Sequence, residues 1–177
     1  MIYMDYFLLS QDKRYTKVPQ IIDFFQKIYA IDLNPLRSDN IEDNNSFFVK
    51  SSEYNQFIDI LENPRLLVSE DMRKIMEKYD RNIIFKRLAL IDRERQIQKI
   101  YDIPIFEEVE ALHEDTEFNW NKTVVKNIVL DKEKIKGKKI FKIKESDKTL
   151  AVVRLDLAES LLRREFEGMR LERLQVK

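Results

Sequence analysis

Residues 139–176 carry the most regular pattern in the sequence, and this pattern restricts the fold class more than any other feature. Three segments rich in branched apolar residues are predicted strands: Lys139–Glu145, Leu150–Leu155 and Met169–Val176. Between the second and third strands, Asp156 is predicted to cap a helix, with Glu159 at the capping-box spacing. Gly168 then provides the left-handed stop of that helix. A helix flanked by strands with short connections indicates an α+β fold.

The rest of the chain continues this alternation. Further strands are predicted at Ile2–Leu9, Phe47–Lys50, Arg65–Val68, Asn82–Ile91, Gln96–Ile103 and Thr123–Leu130. Further helices are predicted at Pro19–Ala30, at residues 54–61 after an N-cap at Ser51 or Ser52, and at Glu70–Tyr79 after an N-cap at Ser69. We therefore expect an α+β fold, with mostly antiparallel or mixed β-sheet and about four helices packed against it.

Charge is distributed unevenly along the chain, although the net charge is zero, with 32 Lys+Arg against 32 Asp+Glu. Residues 1–120 carry 16 basic and 23 acidic residues, a net of −7, whereas residues 121–177 carry 16 and 9, a net of +7. The length fits a single domain, 1–177, or two packed lobes, one acidic (1–120) and one a basic β-β-α-β unit (121–177).

Two segments concentrate these charges. The acidic segment, Asp102–Glu117, holds seven Asp and Glu residues and no Lys or Arg, and most of it belongs to a loop predicted from Pro104 to Trp120. The lysine-rich segment, Lys132–Lys148, holds eight Lys against three acids and is predicted to form a hairpin.

The composition excludes several classes of functional site. The chain has no Cys, a single His (His113) and two separated Gly. It therefore has no disulfide, thiolate metal site, two-His metal site or glycine-rich phosphate loop, and we predict no metal and no cofactor. The N-terminus is too short and too interrupted by acids for a membrane span and lacks the features of a signal peptide, so we expect a cytoplasmic protein without membrane contact.

A few residues remain as candidates for chemistry. His113 has two interpretations, a general base or lone metal ligand and a surface residue in an acidic loop, and the second is favoured because a catalytic His needs oriented partners. Glu107, Glu108, Glu110 and Glu114 can gather round a divalent cation, but no Lys has an acid two residues before it, as carboxylate nucleases commonly require. Trp120 is expected in the core or as a loop anchor, with an interface hot spot as the alternative.

The lysine-rich segment suggests a basic patch at Lys136, Lys138, Lys142 and Lys144. Such point charges suit phosphate contacts, but the zero net charge and the opposite orientation expected for Phe141 disfavour nucleic acid as the partner. Lysine also protects exposed edge strands from aggregation, which is the alternative role for these residues.

Beyond individual residues, five stretches together resemble a known bacterial family. They are Asn63–Met76, Asn82–Asp92, Gln98–Phe118, Ile128–Ser146 and Val153–Val176. The first matches a proline-led strand entering a Ser-capped helix, the second a strand, and the third a Tyr-containing strand with an acidic stretch. The fourth matches a Lys-Gly turn before an Ile-Phe strand, and the fifth a strand, capped helix, Gly and last strand. This pattern, over roughly residues 46–177, is similar to immunity protein families eleven and forty-three of polymorphic toxin systems, formerly a domain of unknown function.

The resemblance implies a small cytoplasmic protein that binds and neutralises a cognate toxin encoded nearby, and it brings no catalytic residues with it. The leading hypothesis is therefore a non-enzymatic binding protein whose partner is that toxin. Its partner-binding residues are expected to be Glu107, Glu108, Glu110, His113, Glu114, Asp115, Glu117 and Trp120. Two alternatives stay open: a carboxylate-dependent, metal-using phosphodiesterase or nuclease, and a nucleic-acid-binding accessory protein that uses the lysine-rich hairpin.

Overall fold

Fourteen strands, three α-helices and two short 3₁₀ helices (Ala30–Asp32 and Ser38–Asn40) make up the regular structure of residues 4–177, the part of the chain that this computed structural model describes. The strands are β1 (Tyr6–Gln11), β2 (Asn44–Phe48), β3 (Ile60–Leu61), β4 (Leu67–Ser69), β5 (Ile84–Asp92), β6 (Ile97–Ile105), β7 (Glu108–Val109), β8 (Glu117–Phe118), β9 (Val125–Asn127), β10 (Val129–Leu130), β11 (Ile140–Ile143), β12 (Ala151–Arg154), β13 (Met169–Arg173) and β14 (Gln175–Val176). The helices are α1 (Phe24–Lys27), α2 (Glu70–Tyr79) and α3 (Leu155–Leu162).

Ten of these strands form two five-stranded sheets. The first sheet has the order β13-β1-β12-β11-β7, and the second has the order β2-β5-β6-β4-β3. Pairing in them is antiparallel except between β2 and β5 and between β11 and β7. The predicted α+β class with mixed sheets is confirmed, although three α-helices replace the expected four. The first sheet draws β1 and β7 from the acidic half of the chain and its other strands from the basic half.

Helices α2 and α3 both follow directly from a strand, as the sequence predicted. The hydroxyl of Ser69 accepts a hydrogen bond from the amide of Met72, so Ser69 caps α2. The cap expected at Asp156 is wrong, because the N-cap of α3 is Arg154, two residues earlier, and the helix begins at Leu155. Asp156 lies in the first turn instead, where it accepts hydrogen bonds from the Arg154 guanidinium.

Two of the predicted helices are wrong, because their backbones bond to distant segments. Within Pro19–Ala30 only α1 is helical; residues 20–22 instead pair with residues 48–50, for example through the amide of Ile22 and the carbonyl of Phe48 at 2.9 Å. Residues 54–61 contain no helix, since the amide of Asp59 donates to the carbonyl of Glu167 and the segment ends as β3. The predicted strand Ile2–Leu9 begins outside the described residues, and within them β1 starts at Tyr6.

The two sheets and the two longer helices share one apolar core. Its buried members include Leu9 and Val153 from the first sheet, Val68 from the second, Met72 from α2 and Leu157 from α3. Two further clusters cover the remaining faces of the two sheets. No helix in residues 4–177 is long and apolar enough to span a membrane.

The loop predicted from Pro104 to Trp120 is largely ordered by strand pairing. Strand β6 continues through Pro104, which pairs with Phe85 of β5, and β7 and β8 follow. Proline is tolerated there because β4 pairs with β6 only at Tyr101 and Asp102, which leaves the other side of Pro104 without a strand partner. The acidic segment therefore connects the second sheet to the edge of the first.

Gly168 lies in the turn that leads to β13, six residues beyond the end of α3, and not at the helix C-terminus as expected. Its φ is +79°, and a Cβ at this position would lie 2.4 Å from Cδ1 of the buried Ile58. Gly137 has a similar φ of +77°, but a Cβ there would meet no atom within 4 Å. Substituting each glycine by Ala therefore distinguishes the energetic cost of positive φ from the cost of a steric clash.

We predict that Gly168→Ala lowers the free energy of unfolding by about 2–4 kcal/mol, since positive φ and overpacking both cost energy. Gly137→Ala should cost only about 1–2 kcal/mol, the backbone term alone. Urea denaturation of the two variants measures both values. Equal losses would contradict the close contact between Gly168 and Ile58.

Candidate functional site

Asp102, the first residue of the acidic segment, lies inside the fold and not at its surface. Its side chain is 0% exposed, and Nη1 of Arg73 donates a hydrogen bond to its Oδ1 at 2.9 Å. Nε of Arg73 also donates to Glu77, and Nε of Arg87 lies 3.7 Å from the same Asp102 oxygen. A buried carboxylate needs a paired charge, and this network provides it. Asp102 therefore does not belong to a partner-binding surface.

Three glutamates of the acidic segment each form an ion pair with a lysine of the lysine-rich segment. The pairs are Glu107–Lys138, Glu108–Lys142 and Glu110–Lys144. We call these three ion pairs the glutamate–lysine ladder. The parallel pairing of β7 with β11 sets its register, since the amides of Lys142 and Lys144 donate to the carbonyls of Glu107 and Val109 at 2.9 Å each.

The ladder neutralises much of the charge on the glutamates and lysines that the sequence predicted as binding residues. Of the expected basic patch, only Lys136 is exposed and without an ion pair among residues 4–177. Each ladder glutamate faces a different lysine, and no group of three His, Cys, Asp or Glu side chains in the described part of the chain is arranged to hold a metal ion. The glutamates thus do not converge on one cation position, as the phosphodiesterase alternative requires.

Residues 111–116, which follow the ladder glutamates, form hydrogen bonds with other segments of the chain. The carboxylate of Glu145 accepts hydrogen bonds from the amides of residues 111–112 at 3.2 and 3.1 Å. The amide of His113 donates to the carbonyl of Val129, and the buried hydroxyl of Thr116 bonds to both the carbonyl and the amide of Val129. These bonds fix the direction in which the following hairpin leaves the fold.

His113 and Asp115 lie together in a turn within residues 111–116. Nδ1 of His113 accepts a hydrogen bond from the amide of Asp115 at 3.2 Å. The ammonium of Lys177 donates a hydrogen bond to the Asp115 carboxylate, and this contact holds the pKa of Asp115 below its usual range. Asp115 is therefore charged and already paired within the chain.

Trp120 lies at the tip of a two-stranded hairpin formed by β8 and β9, with its side chain directed into solvent. The residue is 94% exposed, so the expectation that it lies in the core or anchors a loop is wrong. Asn119 shapes the tip: its Oδ1 accepts hydrogen bonds from the amides of Thr123 and Val124 at 2.8 and 3.0 Å. We call residues 117–127 the Trp120 hairpin. It presents a large aromatic ring on an ordered turn, as binding hot spots do.

Charges near Trp120 are mixed in sign. Glu114 and Glu117 are exposed and form no ion pair among the described residues, and the same holds for Lys122 and Lys126. The surface left after the ladder is formed is therefore not the single-sign acidic loop that the sequence indicated. An exposed indole with mixed charges round it is the principal feature of this surface.

A second group of exposed apolar side chains was not predicted as a surface. Its members are Ile22 (46% exposed), Phe25 (46%), Tyr29 (60%), Ile31 (64%) and Leu36 (95%). The sequence placed the first three on the apolar face of the predicted helix Pro19–Ala30, of which only α1, with Phe25, forms. Leu36 stands beside Glu107, Glu108 and Lys144 of the ladder in a cleft of about 570 Å³. The only sequence signal for Leu36 was one large apolar residue inside a polar loop.

Comparison of the chain with protein-family models and with curated proteins finds no match. The resemblance to immunity proteins therefore stays a prediction from the sequence.

The three ladder pairs differ in exposure, which allows a matched test of their contribution to stability. Lys142 and Glu108 are 16% and 28% exposed, whereas Lys144 and Glu110 are 53% and 69% exposed. We predict a coupling energy of about 1–2 kcal/mol for the first pair and below about 0.5 kcal/mol for the second, because solvent screens exposed pairs. Double-mutant cycles to Ala, read by urea denaturation, measure both. Coupling energies of the same size would contradict the difference in burial.

Proposed function

We propose that this protein is a non-enzymatic binding protein that captures and neutralises a cognate bacterial toxin, and that the Trp120 hairpin contacts the toxin. The observation that carries the binding role is the exposure of Trp120 on an ordered turn. The choice of a toxin as the partner depends on the resemblance of residues 46–177 to immunity proteins.

The physics of an exposed tryptophan supports an interface at this position. A buried tryptophan side chain removes about 150–250 Å² from water, and tryptophan is enriched among residues whose truncation costs 2 kcal/mol or more of binding. The hydrogen bonds of Asn119 hold the turn before binding, which lowers the entropy lost on association. The hairpin is therefore suited to insert its ring into a pocket of a partner.

The glutamate–lysine ladder changes the electrostatic part of the hypothesis. Fast capture through a single-sign acidic loop requires carboxylates that have no partner within the chain. Glu107, Glu108 and Glu110 have lysine partners, and Glu114 and Glu117 are accompanied by two exposed lysines. We therefore propose that apolar contact through Trp120, and not charge attraction, supplies most of the affinity, with Glu114 and Glu117 at the rim.

The two alternative functions have no comparable support. A metal-dependent phosphodiesterase requires carboxylates converging on one position, and a nucleic-acid-binding hairpin requires lysines without carboxylate partners. The ladder pairs three of the four predicted cation-binding glutamates with three of the four predicted basic-patch lysines. Binding to a protein partner is the function that this geometry supports best.

Co-expression with the toxin encoded beside this gene tests the function directly. We expect the full chain to protect host cells from that toxin and to co-purify with it as a stable complex. A chain that is folded and abundant but neither protects nor co-purifies would contradict the proposal.

We predict that Trp120→Ala weakens toxin binding by about 30-fold or more, the effect of losing a hot spot, without a loss of stability above about 0.5 kcal/mol. Leu36→Ala is the matched control, because Leu36 is equally exposed at 95% but lies beside the ladder. Calorimetric titration of the purified toxin measures both affinities. Unchanged affinity in Trp120→Ala together with weakened affinity in Leu36→Ala would move the interface to the second apolar group.

A further inference from the structure

A concave cleft of about 540 Å³ opens where the end of β1 meets β13 and the turn before β4. Its volume lies in the range of small-molecule sites, which is about 300–1,000 Å³. None of the residues assigned to toxin binding lines it. The cleft is therefore a second feature of the surface, independent of the proposed function.

Strand register places apolar and charged groups side by side on one face of this cleft. Leu8 pairs with Glu172 and Ser10 pairs with Arg170 across β1 and β13, so these four side chains share a face of the first sheet. Leu150, directly before β12, lines the same cleft. The result is a floor of leucine side chains with a guanidinium and a hydroxyl beside it.

Four basic residues line the cleft: Lys13, Arg65, Lys148 and Arg170. Lys13 and Lys148 are exposed and have no ion pair among the described residues. The nearest carboxylate to Arg170 is that of Glu172 at 3.6 Å, on a half-exposed pair. Lys13 and Lys148 therefore differ from the ladder lysines, each of which has a glutamate partner.

Arg65 is the most constrained of the four. Its Nη1 donates to the carbonyl of Asp147 at 3.1 Å, which is a neutral partner, and its Nε is buried with no hydrogen-bond acceptor in the described structure. Its guanidinium lies over the ring of Phe25, 5.6 Å from the ring centroid, and forms no ion pair among the described residues, so its charge is left for an anion in the cleft. Among residues 4–177, the carboxylates that line the cleft belong to Glu62 and Glu172, so this lining carries an excess of two positive charges.

We propose that this cleft binds a small phosphomonoester. The phosphate dianion balances the excess of two positive charges and offers several strong acceptors to Arg and Lys donors. The hydroxyls of Ser10 and Thr149 add donors of the kind that bind phosphate oxygens. The apolar or heterocyclic part of the ligand rests on the leucine floor.

Calorimetric titration of the full chain with adenosine 5′-monophosphate, inorganic phosphate and adenosine tests the proposal. We expect saturable binding of the monophosphate, weaker binding of inorganic phosphate and no binding of adenosine. Inorganic phosphate binding as tightly as the monophosphate would overturn the role of the leucine floor. No saturable binding of either phosphate compound would overturn the whole proposal.

Two charge-removing variants locate the site. Lys148→Gln and Arg170→Gln should each weaken binding of the monophosphate about tenfold or more, since each removes a charge-assisted contact. Lys136→Gln is the matched control: it removes one exposed lysine outside the cleft and should change the affinity less than twofold. Equal weakening in all three variants would show general charge attraction and would contradict a built site.

Discussion

The parallel pairing of β7 with β11 is the interaction on which the arrangement of this molecule most depends. It brings the acidic segment against the lysine-rich segment and turns two opposite runs of charge into three ion pairs. The same chain enters this edge directly from β6, so the pairing also connects the two sheets. Three negative charges of residues 1–120 are thereby paired with three positive charges of residues 121–177, so part of the balance between the −7 and +7 net charges of these two ranges takes place through contacts in the fold.

This pairing determines which surfaces remain available for function. The six ladder residues and Asp115, which looked suited to a toxin, a metal ion or nucleic acid, have partners within the chain, whereas Glu114, Glu117 and Lys136 have no ion pair among the described residues. The features left over are an exposed indole on the Trp120 hairpin, an apolar group that includes Leu36, and a basic cleft near Arg65 and Arg170. The first supports capture of a protein partner. The last is built differently, with Lys13 and Lys148 exposed and without an ion pair among the described residues beside an apolar floor, and it fits a small anion.

Sequence patterns predicted the elements whose hydrogen bonds are local, such as α2 with its Ser69 cap, and the strands whose apolar runs are buried. They failed at Pro19–Ala30 and at residues 54–61, because helical spacing of apolar residues does not reveal that the backbone bonds elsewhere. The sequence predicted which residue types concentrate in the candidate site, but not which of them pair within the chain or lie exposed to solvent. The pairing of Glu108 with Lys142 depends on the register of two strands 34 residues apart, and the exposure of Trp120 depends on a turn built by Asn119.

Zero-length cross-linking of carboxylates to amines with a carbodiimide, followed by mass spectrometry of the peptides, tests the ladder most directly. We expect cross-links that join residues 107–110 to Lys138, Lys142 and Lys144 within one chain. Lys136, exposed and without an ion pair among the described residues, should give none to this segment. The pairing of these glutamates with these lysines would be contradicted if no such cross-links formed and an amine-specific reagent modified the ladder lysines as fast as Lys136.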